Sequence, residues 1–145
     1  MRGFRVEKSK KMRIFRDLLI WQKAMTLVTN CYLRIVDFPK EEQFGTNSPP
    51  KRCAISIRSN IDEGFGRGTN KDYQRFLKIS FGSLFKFQTQ IEIAYNLEYL
   101  TKDYFNSFYA DTRLLERMLT LFITKVKVNS LSLCALNFTT LNFKK

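Results

Sequence analysis

The sequence contains no histidine. That removes the commonest general base and the commonest metal ligand, and it rules out any Ser-His or Cys-His nucleophile pair. Cysteine is scarce too. Cys31, Cys53 and Cys134 make an odd count with no C-x-x-C spacing. This pattern fits reduced, buried thiols in a cytoplasmic protein better than a disulfide framework. Only three prolines and six glycines occur. Pro49 and Pro50 are adjacent, and three glycines crowd into Gly64-x-Gly66-x-Gly68, so long stretches carry no breaker and favour long helices. Long apolar runs are missing: none approaches the roughly 20 residues of a membrane span. Leu18-Leu19-Ile20-Trp21 is too short for the apolar core of a signal peptide. No membrane partner, cofactor or metal is expected.

Acidic residues are few as well, 13 against 25 Lys and Arg, for a net charge of +12. An excess of this size points to a polyanionic partner. It is unevenly spread. Arg2, Arg5, Lys8, Lys10, Lys11, Arg13 and Arg16 face Glu7 alone, so half the net charge lies in the first 16 residues. Residues 1–11 read as a disordered basic arm, and Met12 is a candidate alternative start. Residues 12–127 read as the folded unit. Residues 128–145 are rich in Asn, Ser, Thr and Leu, lack a helical period, and read as a poorly ordered appended tail.

Apolar residues are plentiful at 44%, with 14 Phe and 6 Tyr. A chain of 145 residues is one domain's worth and can bury a core without staples. Four helical segments follow from the spacing. In residues 15–37, Leu18, Trp21, Met25, Val28, Tyr32 and Ile35 form the expected seam, with Ile20, Ala24, Leu27 and Cys31 as a second stripe beside it. Ser48-Pro49 predicts an N-cap with proline at the first helical position. The second helix then runs to about residue 65 on Ala54, Ile57, Ile61 and Phe65, stopped by the three glycines. Thr69 and Asp72 have capping-box spacing. The third helix buries Tyr73, Leu77, Ser80, Leu84, Phe87, Ile91 and Ala94, while Phe76, Phe81 and Phe85 fall outside that stripe. Thr101 caps a fourth helix whose seam is Phe105, Phe108, Thr112, Leu115, Leu119, Phe122 and Val126. Short connections make this an all-α, antiparallel up-down-up-down four-helix bundle. The surplus apolar surface on the first and third helices predicts self-association.

Several strings resemble a known family. They are Phe15-Arg16-Asp17-Leu18 with Trp21-Gln22-Lys23-Ala24, Phe38-Pro39-Lys40 with Glu42 and Gly45, Arg52-Cys53-Ala54-Ile55-Ser56-Ile57, Ser59-Asn60-Ile61-Asp62-Glu63-Gly64, Phe76-Leu77, Gly82-Ser83-Leu84 and Gln90-Ile91-Glu92-Ile93-Ala94. The chain resembles the bacterial four-helix-bundle proteins encoded in intervening sequences of 23S rRNA genes. It is also similar to the accessory variability protein of diversity-generating retroelements. The resemblance implies an antiparallel four-helix protomer in a five-fold ring, a homopentamer. In the retroelement relatives it implies binding of nucleic acid and a reverse transcriptase through basic surface. This sequence departs from the family pattern at Pro49-Pro50, at Arg58 in place of a proline, at Asp62 in place of an alanine, and at Lys86-Phe87-Gln88.

Little chemistry is on offer. Gly64-x-Gly66-x-Gly68 lacks the order and the preceding strand of a phosphate loop and reads as a helix stop. Arg67 and Lys71 flank the start of helix 3, a modest candidate anion site. Ser56, Asn60 and Glu63 share one face of helix 2, a polar stripe suited to hydrogen-bonding a neighbouring helix or subunit. Lys71, Arg75, Lys78 and Lys86 share one face of helix 3 with no acid in the stripe. Lys51, Arg52 and Arg58 form a second, looser cluster. No exposed aromatic groove for stacking bases can be identified. The expectation is a non-enzymatic oligomer that binds RNA or DNA through backbone phosphates, contacted by these eight basic residues. Two alternatives stand beside it: a scaffold docking a protein such as a reverse transcriptase, and an intervening-sequence product without strong binding activity.

Overall fold

The computed structural model describes residues 18–35, 38–40 and 48–128. Among them are four α-helices and no strand: α1 (Leu19–Arg34), α2 (Pro49–Arg67), α3 (Asn70–Asn96) and α4 (Lys102–Val128). The basic arm, the expected start of helix 1 at Phe15, most of the first loop, and the tail beyond Val128 with Cys134 lie outside the described residues. No described helix is long and apolar enough to cross a membrane.

The helix starts show which local signals act. Ser48 occupies the N-cap of α2 with Pro49 next, but the Ser48 hydroxyl makes no capping bond. Proline's preset φ, rather than a capping hydroxyl, favours the start here. At α3, Thr69 Oγ1 accepts the Asp72 backbone N–H at 3.2 Å and donates to Asp72 Oδ2 at 3.0 Å. Asp is one methylene shorter than Glu, and it meets the threonine hydroxyl while placing negative charge in the first turn.

The three glycines do not act together as the expected stop. α2 continues through Gly64 and Gly66 to Arg67, and only Gly68, at φ +76°, sits in the left-handed position that ends it. Gly64 is buried inside the helix. A Cβ there would lie 2.8 Å from Phe76 Cβ and 3.0 Å from Tyr73 Cδ2, so Gly64 is what lets α2 and α3 approach.

One hydrophobic core draws on all four helices. The stripe expected on α3 is buried throughout, from Tyr73 to Ala94. Its polar member has a partner: Ser80 Oγ donates to the Ile57 carbonyl at 2.8 Å. On α4, Phe108, Thr112, Leu115, Leu119, Phe122 and Val126 are buried, joined by Met118, while Phe105 is only partly covered.

α1 requires a correction. Its core face is Ile20, Ala24, Leu27 and Cys31, flanked by Leu18 and Ile35. Met25 and Tyr32, expected in the seam, are 36% and 37% exposed. Period alone cannot choose between adjacent apolar stripes. The stripe containing the small Ala24 and Cys31 faces inward. Tyr32 instead lies beneath the Lys51 ammonium, 5.0 Å from its ring centre.

The main packing partners are α2 with α3, α3 with α4, and α1 with both α2 and α4. Between α3 and α4, the Phe87 and Phe108 rings meet edge-on at 5.8 Å, and Gln74 Nε2 donates to the Ile123 carbonyl at 3.2 Å. Between α1 and α4, Arg34 Nη1 donates to the Tyr104 hydroxyl at 2.8 Å, with its guanidinium 4.0 Å over that ring.

Candidate nucleic-acid interface

α3 presents Lys71, Arg75, Lys78 and Lys86 as exposed side chains. From the first to the last is about 22 Å at the helical rise. No acid falls within the stripe, but one borders it. Asp72 Oδ1 lies 4.0 Å from Arg75 Nη2, a long contact between exposed groups. Such pairs contribute little, and Arg75 keeps most of its donors. Its guanidinium also covers the Phe76 ring at 4.9 Å. Lys71, Lys78 and Lys86 form no ion pair among the described residues.

The second basic cluster does not hold together. Lys51 is buried, only 8% exposed, so it is not part of the basic surface. Arg58 points toward α1: it pairs with Asp62 at 3.4 Å, and its Nη1 lies 3.8 Å from Met25 Sδ. Burial pushes the Asp62 carboxyl up, against the opposing pulls of Arg58 and Trp21. Arg52, one residue on from Lys51, is exposed.

At the start of α3, Arg67 is held by Glu63 through contacts of 2.7 and 2.8 Å. The Asp72 carboxyl already sits in the first turn of α3. An incoming anion there meets a resident negative charge.

The residues read as one polar stripe on α2 have three different surroundings. Ser56 Oγ shares a 2.8 Å hydrogen bond with Ser83 Oγ of α3. Asn60 Nδ2 turns back on its own helix, donating to the Ser56 carbonyl at 2.8 Å and to Ser56 Oγ at 3.1 Å. Glu63 is exposed and engaged with Arg67.

Sequence reasoning missed a groove of about 450 Å³ between α2 and α3. Arg52 and Lys86 line it together, although their positions in the sequence put them in separate clusters. The Ser56–Ser83 pair, Thr89 and Gln90 also line it, and no acid does. Cys53 lies on the same wall. Burial pushes its thiol up, while Lys86 and Arg52 pull the other way, so both cations act at this point. Cys31, buried in the core, is pushed up to about 12 and is chemically quiet. Ser56 already stood out as a polar residue suited to bonding a neighbouring helix, but only the register of α2 against α3 brings Ser83 to it.

No curated protein matches the chain. A crystal structure of a protein of unknown function from Bacteroides thetaiotaomicron VPI-5482, described as belonging to the S23 ribosomal protein family, is similar in fold. It shares 20% identity with a TM-score of 0.63, covering 72% of this chain and 98% of that one. Residues 16–121 match the 23S rRNA-intervening sequence proteins. The match spans well over half the sequence, and the chain belongs to the 23S rRNA-intervening sequence protein family.

Proposed function

We propose that this protein is a non-enzymatic, up-down-up-down helical bundle that assembles into a homo-oligomeric ring and binds RNA or DNA through backbone phosphates. The observation that carries the binding reading is the exposed cation row of α3, from Lys71 to Lys86, beside a groove with no acid in its lining. Phosphates are held by such side chains whatever the base sequence.

The contacts support the up-down order. Along α1, Met25 meets Arg58 and Tyr32 meets Lys51, so advancing residues meet receding ones. The same holds for Ser56 with Ser83 and Gly64 with Tyr73, and for Phe87 with Phe108 and Gln74 with Ile123.

Self-association is supported by large apolar side chains left in solvent. Ile79, Phe85 and Ile93 on α3 are 46%, 44% and 45% exposed, and Leu33 on α1 is 61% exposed. Light scattering at micromolar concentration is expected to give a mass several times that of the protomer. A monomer rejects the ring.

The binding test is fluorescence anisotropy of labelled RNA and DNA against salt. Affinity is expected to fall by about a hundredfold between roughly 50 and 200 mM salt, as for about four neutralised phosphates. Changing Arg75 and Lys78 together to Glu is expected to weaken unrelated sequences equally without lowering the melting temperature. Both side chains are exposed, so the core is untouched. Lys125→Gln on α4 is the control. Salt-independent binding, or affinity unchanged by the double reversal, removes the α3 row as the site. Absence of binding at low salt favours a protein-docking scaffold that uses the apolar residues of α3.

A further inference from the structure

We infer that the groove between α2 and α3 seats one phosphate ester of a nucleotide, a step that rests on the phosphate-binding reading above. Its volume of about 450 Å³ exceeds what a bare phosphate needs and falls within the usual range for small-ligand clefts. Arg52 reaches it from α2 and Lys86 from α3. Neither is paired with an acid among the described residues, whereas Arg58, Arg67, Arg75 and Arg113 each have a carboxylate within 4.0 Å. An anion entering the groove therefore meets two uncommitted cations and no resident negative charge. A guanidinium can fork two phosphate oxygens, and a lysine beside it adds a point charge.

The floor is polar, but its hydrogens are largely spent. Ser83 Oγ lies within hydrogen-bond distance of both Ser56 Oγ and the Ile79 carbonyl, Asn60 donates to Ser56, and Thr89 donates to the Phe85 carbonyl. The side chains left to grip a ligand are Arg52, Lys86 and the Gln90 amide. The start of α2 adds little, because Pro49 and Pro50 have no backbone N–H to offer. No aromatic ring lines the groove, so a base has nothing to stack on. The ligand is thus held by its phosphate, with little regard for the base. The phosphate can be the terminal group of a free nucleotide or an internal diester of a strand.

Cys53 supplies a local readout, because it lines the groove. The probes are inorganic phosphate, AMP, UMP, and an oligouridylate without a terminal phosphate. Each is added while iodoacetamide alkylates the intact protein at mildly alkaline pH. Mass spectrometry reads Cys53 separately, and the buried Cys31 stays unmodified as long as the fold is intact. Anisotropy and melting are measured in parallel on Arg52→Gln, Lys86→Gln and the double variant. Either AMP and UMP alike, or the oligouridylate, is expected to slow alkylation of Cys53. Which of them does so separates the free nucleotide from the strand. Each single variant is expected to weaken that ligand about tenfold, the loss of one charge-assisted contact, with melting unchanged. The double variant is expected to abolish the protection. Salt-steep oligonucleotide binding with neither protection at Cys53 nor loss in these variants overturns the groove and leaves the α3 surface standing. Protection by AMP and UMP without any oligonucleotide binding keeps the groove and rejects the surface reading. Absence of both binding and protection rejects both. A marked preference between AMP and UMP overturns recognition by phosphate alone.

Discussion

Phe87→Ala is expected to lower the folding stability by about 3–5 kcal/mol, the cost of emptying a fully buried aromatic site. Phe87 has no exposed surface, and its ring meets Phe108 edge-on at 5.8 Å across the α3–α4 contact. Alanine removes the transfer free energy of the ring, leaves a cavity, and deprives Phe108 of its aromatic neighbour. The loss is a large fraction of the roughly 5–15 kcal/mol by which domains are stable. At about 3 °C per kcal/mol for a chain this long, the melting midpoint is expected to fall by about 10–15 °C. Circular dichroism melts measure it. Phe87→Leu keeps much of the volume and is expected to cost less. Asn106→Ala, on the exposed side of α4, is expected to stay within about 0.5 kcal/mol. A drop below about 1 kcal/mol for Phe87→Ala would mean that α3 and α4 do not pack through this ring.

Three glycines separated by one residue each are expected to respond in three different ways. Gly64→Val is expected to cost about 3 kcal/mol, because a side chain there must displace the Cβ of Phe76 and the ring of the fully buried Tyr73 rather than a flexible tip. The strain falls between α2 and α3, which also form the groove. Gly66 is helical, with nothing within 4 Å of a Cβ. Gly66→Ala is expected to stabilise by about 0.4–1 kcal/mol, since alanine has less unfolded-state entropy to lose. Gly68 has equal space but φ +76°, so Gly68→Ala is expected to destabilise by about 1 kcal/mol through backbone strain alone. Chemical denaturation of the three variants checks the order. A neutral Gly64→Val would refute the close approach of α2 and α3 at this point.

The sequence was most legible where burial and helical period coincide. On α3, every residue of the expected stripe is buried, packed against α2 and α4. Thr69 was legible as a cap because capping is a local interaction, closed within three residues. The glycine cluster was only half legible: a glycine that ends a helix and a glycine that admits another helix look identical in one dimension. The candidate site was least legible. Lys51 and Arg52 are adjacent cations, yet one is buried with its ammonium over the Tyr32 ring and the other lines an open groove, because one residue turns about 100° around the helix.

By itself, the sequence determined what depends on composition and local spacing: the absence of histidine chemistry, four helical segments, most of their inward faces, and the positive charge of the chain. The tertiary structure alone decided which of two apolar stripes on α1 enters the core. It also decided which cations remain in solvent, and that Arg52 and Lys86 face one space. The physical reason is register. Helical period gives each helix a face, but the relative slide and rotation of two helices come from how their side chains interlock. Here that interlock includes a glycine at position 64 and a serine pair at 56 and 83, and no residue carries that information alone.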